Sequence, residues 1–322
     1  MQPHTQDNES SQSRSRLNEK LSRNLGPVFI NALHDPKTVE LMLNADGTLW
    51  QERLGEPMRP IGNIAAQNAE AAIRTIAASM GRTVTEDSPI LEGVLPIDGS
   101  RFAGWLPPVV AAPSFAVRKK ASQVFTLSQY VEKGIMTPEQ KIVIEQAVTN
   151  HKNILVIGGT GSGKTTLTNA IIHEMVQQDA NQRIFIIEDT GEIQCSAKNA
   201  VQFYTSEFTS MTSLLKTTLR GRPDRILVGE VRGSEALDLL DAWNTGHEGG
   251  IATLHANNAS AGLDRLKSMI TRNASAPKDI EPLIGEAVHV IVHIARTETG
   301  RRIESILQVA GYRNGAYVTK QI

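Results

Sequence analysis

The feature that most narrows what this chain can fold into is the run Gly158-Gly159-Thr160-Gly161-Ser162-Gly163-Lys164-Thr165, which fits GxxxxGK[ST]. It follows an apolar segment, Asn153 to Ile157, and opens a helical pattern from Thr166 to Val176. That order of strand, glycine loop and helix lets backbone N–H groups close around phosphate oxygens while the helix aims its positive end at them. Lys164 is then expected to reach the β- and γ-phosphates of a nucleoside triphosphate, and Thr165 to ligate magnesium. A glycine turn carrying a surface lysine is the alternative, and the flanking strand and helix speak against it.

The neighbouring sequence repeats the same architecture. Apolar runs at Ile184 to Ile187, Ile226 to Val228 and Ile251 to Leu254 alternate with helical patterns, the signature of an α/β domain with a parallel sheet covered by helices. Thr137-Pro138-Glu139-Gln140 reads as a capping box opening a helix that runs through Val148 and delivers the chain to the strand before the glycine loop.

Polar residues follow each strand, at the sheet edge where ligands of open parallel sheets bind. Ile187 leads into Glu188-Asp189-Thr190-Gly191-Glu192, carboxylates suited to hold magnesium or orient water, with Asp189 and Glu192 favoured over Glu188 for the metal. A solvated acidic turn is the alternative. Val228 leads into Gly229-Glu230-Val231-Arg232, where Glu230 is the expected water-polarising base. The plainer readings have Glu230 paired with Arg232 or capping the next helix. Ser234 suits that helix's N-cap, and Ala236, Leu240 and Trp243 share one face, which makes Trp243 core rather than a base-stacking aromatic.

His247 and His255 flank the run Ile251 to Leu254, and at strand ends they are candidates to sense the γ-phosphate or relay it to a neighbouring subunit. A single histidine in such a place is more often structural. Phosphoryl transfer also calls for a guanidinium, with Arg101, Arg118, Arg220, Arg222 and Arg225 as candidates, each alternatively a surface ion-pair partner.

The chain has 322 residues, enough for two domains of about 150 residues each. Residues 1–24 are polar, with almost nothing apolar, and read as a mobile tail or an amphipathic start. Residues 25–120 mix short strand-like bursts with an Ala-rich amphipathic stretch from Ile64 to Met80, the pattern of a smaller α+β domain. A polar linker beginning at Arg118-Lys119-Lys120 leads into the α/β domain, residues 121–322. Lys and Arg (33) balance Asp and Glu (34), which removes the whole-molecule basic field of a generic nucleic-acid coat. One cysteine, Cys195, cannot pair within the chain, so a reducing compartment, the cytoplasm, fits best. No stretch of 18 consecutive apolar residues occurs, so no membrane span is expected.

Taken in order, Gly158 to Thr166, Ile187-Glu188-Asp189-Thr190-Gly191-Glu192, Leu219 to Gly233 and Gly246 to Asn258 resemble the Walker A, Asp box, Walker B and His box of the type II/IV secretion traffic ATPases, in particular those of conjugal transfer. The resemblance is dense over residues 120–270 and thinner before, where it rests on Asp98-Gly99-Ser100-Arg101 and Ser114 to Arg118. It implies a RecA-like ATPase domain behind a smaller amino-terminal one, a homohexameric ring on the cytoplasmic face of the inner membrane, contacts with other secretion components, and ATP with Mg2+ held between the two domains. It extends the nucleotide-binding run through Thr166, puts Asp-box duties on Glu188, Asp189 and Glu192, the catalytic carboxylate on Glu230 and His-box duties on His247 and His255, and brings Arg101 and Arg118 toward the nucleotide. One departure is Gly221, between Arg220 and Arg222, where a larger residue is expected. The function implied is a motor hydrolysing Mg·ATP for pilus assembly or substrate export. A nucleic-acid translocase on a RecA-type core and a nucleotide-gated scaffold are the competing readings.

Overall fold

The computed structural model describes residues 4–120, 124–206 and 208–322, with side chains from Ser15 onward. It divides into two compact units, Met1–Ser122 and Gln123–Ile322. The linker residues Ala121, Ser122 and Gln123 lie outside the described set.

The first unit runs α1 (His4–His34), β1 (Thr38–Leu43), β2 (Thr48–Arg53), β3 (Arg59–Asn63), α2 (Ala66–Ser79), β4 (Ile90–Val94), β5 (Arg101–Trp105) and β6 (Ser114–Arg118). Its strands form an antiparallel six-stranded sheet in the order β3-β2-β1-β6-β5-β4. Of the two readings of residues 1–24, a mobile tail or an amphipathic start, the second fits the described residues: α1 carries a stripe at Leu21, Leu25, Phe29 and Leu33, all buried in one core with Ile73, Ile76 and Phe115. A four-residue spacing keeps those side chains on one helical face, and that face outweighs the polar composition around it. Gly26 departs from helical dihedrals ahead of Pro27 and kinks the helix within the stripe.

The second unit runs α3 (Leu127–Glu132), α4 (Pro138–Thr149), β7 (Ile154–Ile157), α5 (Lys164–Gln178), β8 (Ile184–Glu188), β9 (Ala200–Tyr204), α6 (Met211–Thr218), β10 (Arg225–Val228), α7 (Glu235–Trp243), β11 (Ile251–Leu254), α8 (Ala259–Ile270), α9 (Glu281–Ala287), β12 (Val290–Thr297), β13 (Gly300–Arg313) and β14 (Ala316–Gln321). The eight-stranded sheet has the order β14-β13-β12-β7-β11-β10-β8-β9, parallel from β12 through β9 and antiparallel at β13 and β14. Alternation along the parallel strands sends Leu155, Ile157, Ile226 and Val228 into one core and Ile154, Val156 and Leu227 into another, so both faces are covered. Trp243 is fully buried and donates its indole N–H to the Ile226 carbonyl at 3.2 Å, a core residue as expected. No helix among the described residues is long and apolar enough to cross a membrane.

Candidate active site

The site is assembled at the carboxyl edge of the parallel strands. Ile157 pairs with Leu254, and Val228 with Ile187, so the residues after all four strands emerge side by side. These are the glycine loop after β7, Glu188 to Glu192 after β8, Glu230 after β10 and His255 after β11.

The loop has the backbone that a phosphate cradle needs. Gly161 and Gly163 adopt φ of +70° and +98°, which L side chains rarely take. A Cβ at Gly158 would stand 2.2 Å from the Ile294 carbonyl oxygen and 2.6 Å from Ser162 Oγ, so the loop packs directly against β12. Gly163 is the N-cap of α5 and makes no side-chain cap bond, which leaves the first amides of that helix to a ligand. Lys164 is buried, and its Nζ donates to the Gly158 and Gly159 carbonyls at 3.0 Å each.

From Lys164 a continuous polar chain crosses the site. Lys164 Nζ lies 3.3 Å from His255 Nδ1, His255 Nε2 lies 2.9 Å from Glu230 Oε1, Arg232 Nη2 donates to Glu230 Oε2 at 2.7 Å, and Arg232 Nη1 donates to Asp189 Oδ2 at 2.9 Å. Thr205 Oγ1 donates to Asp189 Oδ1 at 2.8 Å. Burial and the adjacent Lys164 charge hold the His255 pKa below its ordinary value, so the ring is neutral near neutral pH. A neutral ring beside an ammonium accepts at Nδ1 and donates from Nε2, which fixes the tautomer and aims the proton at Glu230. Partial burial works to raise the Glu230 pKa. The hydrogen bond and charge of Arg232, together with His255 and Lys164, outweigh it and hold the carboxyl below the usual glutamate range. Glu230 is thus an ionised acceptor with a fifth of its side chain exposed.

Thr165 Oγ1 donates to Glu192 Oε2 at 3.2 Å, bringing a hydroxyl and a carboxylate together at the start of α5. These are hard oxygen donors of the kind magnesium prefers, and two of them suffice for an ion that takes the rest of its shell from water and phosphate.

Glu188 behaves differently from its neighbours. It is 2% exposed, its Oε2 accepts from the amides of Glu192 (2.8 Å) and Ile193 (3.0 Å), and its Oε1 accepts from Gln202 Nε2. Burial raises its pKa despite those bonds. The last inward position of β8 turns its carboxyl into the protein, where it shapes the Asp-box turn and cannot serve as a catalytic group facing substrate.

His247 and Arg222 lie elsewhere. Both precede their strands, β11 and β10, and line a concavity of about 670 Å³ at the amino edge with Arg183, Asn199 and Asp224. A four-residue strand separates that edge from the glycine loop by about 13 Å. Within one chain neither residue reaches the site that holds His255 and Glu230. Arg225 is buried and spent on Gln182, the Gly249 carbonyl (2.8 Å) and the Val148 carbonyl (2.9 Å). Gly221 is explained by its neighbour, since a Cβ there would stand 2.2 Å from Phe185 Cζ. Ser234 occupies the N-cap of α7 without a side-chain bond; Glu235 Oε1 accepts from the amides of Arg232 and Gly233 instead. In the first unit Arg101 and Arg118 are cross-strand neighbours on β5 and β6.

The pairing of Glu230 with Arg232, one of the plainer readings of the sequence, is present, and Arg232 also reaches Asp189 and so joins the loops after β8 and β10. Arg301, on β13, donates Nη2 to the Gly161 carbonyl at 3.4 Å from 140 positions away, and no local motif could have signalled it.

A glycine loop feeding α5, carboxylates after β8 and β10 and a histidine after β11 define a RecA-like P-loop nucleotide-binding domain. Residues 62–314 match the family described as Type II/IV secretion system protein, and the chain belongs to that family. It is 48% identical over 309 residues to a probable conjugal transfer protein TrbB of Sinorhizobium fredii, covering 96% of this chain and 94% of the relative. Identity to the conjugal transfer protein TrbB of Rhizobium radiobacter is 46% over 308 residues, 96% of this chain and 95% of that one. Among solved structures, the Legionella pneumophila ATPase DotB shares the fold with a TM-score of 0.62 at 19% identity, over 86% of this chain and 79% of that chain.

Proposed function

We propose that this protein is an ATPase motor of type IV secretion, serving conjugative transfer, which hydrolyses Mg·ATP to ADP and phosphate. The observation that carries the reading is the hydrogen-bonded chain from Lys164 through His255 to Glu230, which sets an ionised carboxylate beside the residue that grips phosphate. The family, and relatives named for conjugal transfer, supply the biological setting.

Each residue has a part that its geometry suits. The amides of Gly159 to Thr166 and Lys164 Nζ take the phosphates. Thr165 and Glu192, with Asp189 nearby, would hold magnesium, which when bound supplies charge neutralisation on the β- and γ-oxygens. Glu230 orients water for in-line attack on the γ-phosphorus and accepts its proton, as the bond between the γ-phosphorus and the β–γ bridging oxygen breaks and ADP departs. His255 holds one Glu230 oxygen and Lys164 at once, so movement of Lys164 onto phosphate is felt at the base. In a ring of like subunits, Arg222 and His247 at the amino edge, and Arg101 and Arg118 of the first unit, are the groups to seek at a neighbour's nucleotide. A homohexamer on the cytoplasmic side of the inner membrane is the assembly we infer.

The test compares wild type with Lys164→Ala for ATP binding and phosphate release in magnesium. Wild type is expected to release phosphate steadily, and the variant to lose both binding and turnover. Nucleotide binding without any release by wild type would turn the reading toward a nucleotide-gated scaffold, and severalfold stimulation by single-stranded DNA that fades with salt would turn it toward a translocase.

A further inference from the structure

The charged groups near the glycine loop fall into two classes. Arg232 is charge-paired with two carboxylates, Asp189 and Glu230. Among the described residues the Arg301 side chain forms no ion pair, makes one hydrogen bond, the long one of 3.4 Å to the Gly161 carbonyl, and has a buried Nε without a hydrogen-bond partner. A guanidinium shielded from water on one side and lacking an acidic partner is a cation whose charge is left uncompensated by the protein.

Its position is determined by the fold rather than by a mobile loop. Arg301 is the second residue of β13, paired to Arg296 of β12, and Ile303, two residues on, is tied by its amide to the Ile135 carbonyl at 2.8 Å and by its carbonyl to Gln140 Nε2 at 3.3 Å. The stem of Arg301 lies over Gly163, where a Cβ would meet its Cδ at 2.9 Å and its Nε at 3.2 Å. Gly163 is therefore constrained twice, by its positive φ and by the arginine packed on it. The hairpin walls the loop from the side opposite the acidic residues.

We infer that Arg301 is a phosphate ligand in cis, a second cation that joins Lys164 on the phosphate chain of the nucleotide bound to its own subunit. The inference rests on the ATPase reading and extends it to a residue outside the four motifs. Guanidinium donors pair with phosphate through charge-assisted, often bidentate bonds. Moving from the Gly161 carbonyl onto phosphate exchanges a weak neutral acceptor for an anionic one. The stem already occupies its place against Gly163, so little side-chain freedom remains to be lost.

The full-length protein is titrated with Mg·ATP, Mg·ADP and magnesium tripolyphosphate, as wild type, Arg301→Gln and Arg301→Lys, with melting temperatures recorded without ligand. Arg301→Gln keeps most of the stem and removes the charge, and should weaken all three ligands about tenfold or more, the size of one charge-assisted bond. Arg301→Lys should recover part of that loss. Tripolyphosphate binding left unchanged while ATP binding falls would place Arg301 on the base or ribose and overturn the assignment. So would nucleotide affinities equal to wild type, or a loss that tracks a lowered melting temperature and is not relieved by lysine. Wild-type protein that binds no nucleotide at all overturns the ATPase reading as well; normal wild-type binding with an indifferent Arg301→Gln overturns this inference alone.

Discussion

Replacing Glu230 by glutamine changes one atom and sets three side chains in conflict. Glu230 accepts from two donors, His255 Nε2 at 2.9 Å and Arg232 Nη2 at 2.7 Å, whereas an amide brings one acceptor and one donor group. With its oxygen toward Arg232, the amide N–H2 faces His255, whose proton must move to Nδ1 and so point at Lys164 Nζ, 3.3 Å away. With its oxygen toward His255, the N–H2 meets the guanidinium. Either choice sacrifices one hydrogen bond, and because Arg232 is half exposed the stability cost is about 1 kcal/mol. The catalytic cost is of another order. A neutral amide cannot accept the proton of attacking water, and loss of a general base lowers turnover by about 10²- to 10⁴-fold, which is roughly 3–5 kcal/mol on the barrier. ATP affinity should hold or rise, since a negative charge near the phosphates is removed. Phosphate release at saturating Mg·ATP, fluorescent-nucleotide binding and urea unfolding measure the three quantities separately. Turnover within about threefold of wild type in a variant that binds ATP normally would refute the assignment of Glu230 as base.

Two further outcomes follow from packing and charge. Gly221→Ala should destabilise the second unit by about 1–3 kcal/mol, because the added methyl collides with a Phe185 ring already held against Phe203 and Arg183; urea unfolding of the single variant and of the pair with Phe185→Leu checks this, and a neutral single variant would contradict the packing account. Burial first, and nearby cations for most, lower the pKa values of His151, His255, His289 and His293. With folded values below the unfolded one, stability is complete above about pH 6.5 and falls as pH drops through the folded values. His289 shows why, for its Nδ1 accepts the Asn153 amide at 3.0 Å and loses that role when protonated. Glu188, raised by burial, works in the opposite direction by gaining stability toward acid, so a flat or rising unfolding free energy between pH 7 and 5.5 would mean that the histidines are not the dominant groups.

What could be read in the chain beforehand was whatever a local rule governs. The glycine loop needs only its own spacing, and the capping box at Thr137 needs only Gln140, whose reciprocal bonds are formed as expected at 3.1 and 3.0 Å. Glu230, Asp189 and His255 follow strands directly, and a parallel strand delivers the residue after it to the ligand-binding edge. The same rule, applied to direction, disposes of His247 and Arg222: they precede their strands and so belong to the far edge, a distinction visible in residue order once each strand is bounded. Glu188 required knowing that the alternation of β8 continues one residue past its apolar run, so that it turns inward and Asp189 outward. Leu21 was hidden by composition, though its spacing to Leu25, Phe29 and Leu33 was available.

Arg301 illustrates a different barrier. The parallel core from β7 to β11 is announced by alternating apolar runs, but the antiparallel strands β13 and β14 that extend it carry no motif, and the register of β13 on β12 and of β14 on β13 is not set by any local rule. A residue placed on the loop from that hairpin is specified by tertiary contacts alone. The acidic wall of the site is therefore written in short segments after the strands, while the wall facing it depends on a sheet edge that local rules do not reach. If Arg301 serves as inferred, a cation on that edge contributes to phosphate binding from outside all four motifs.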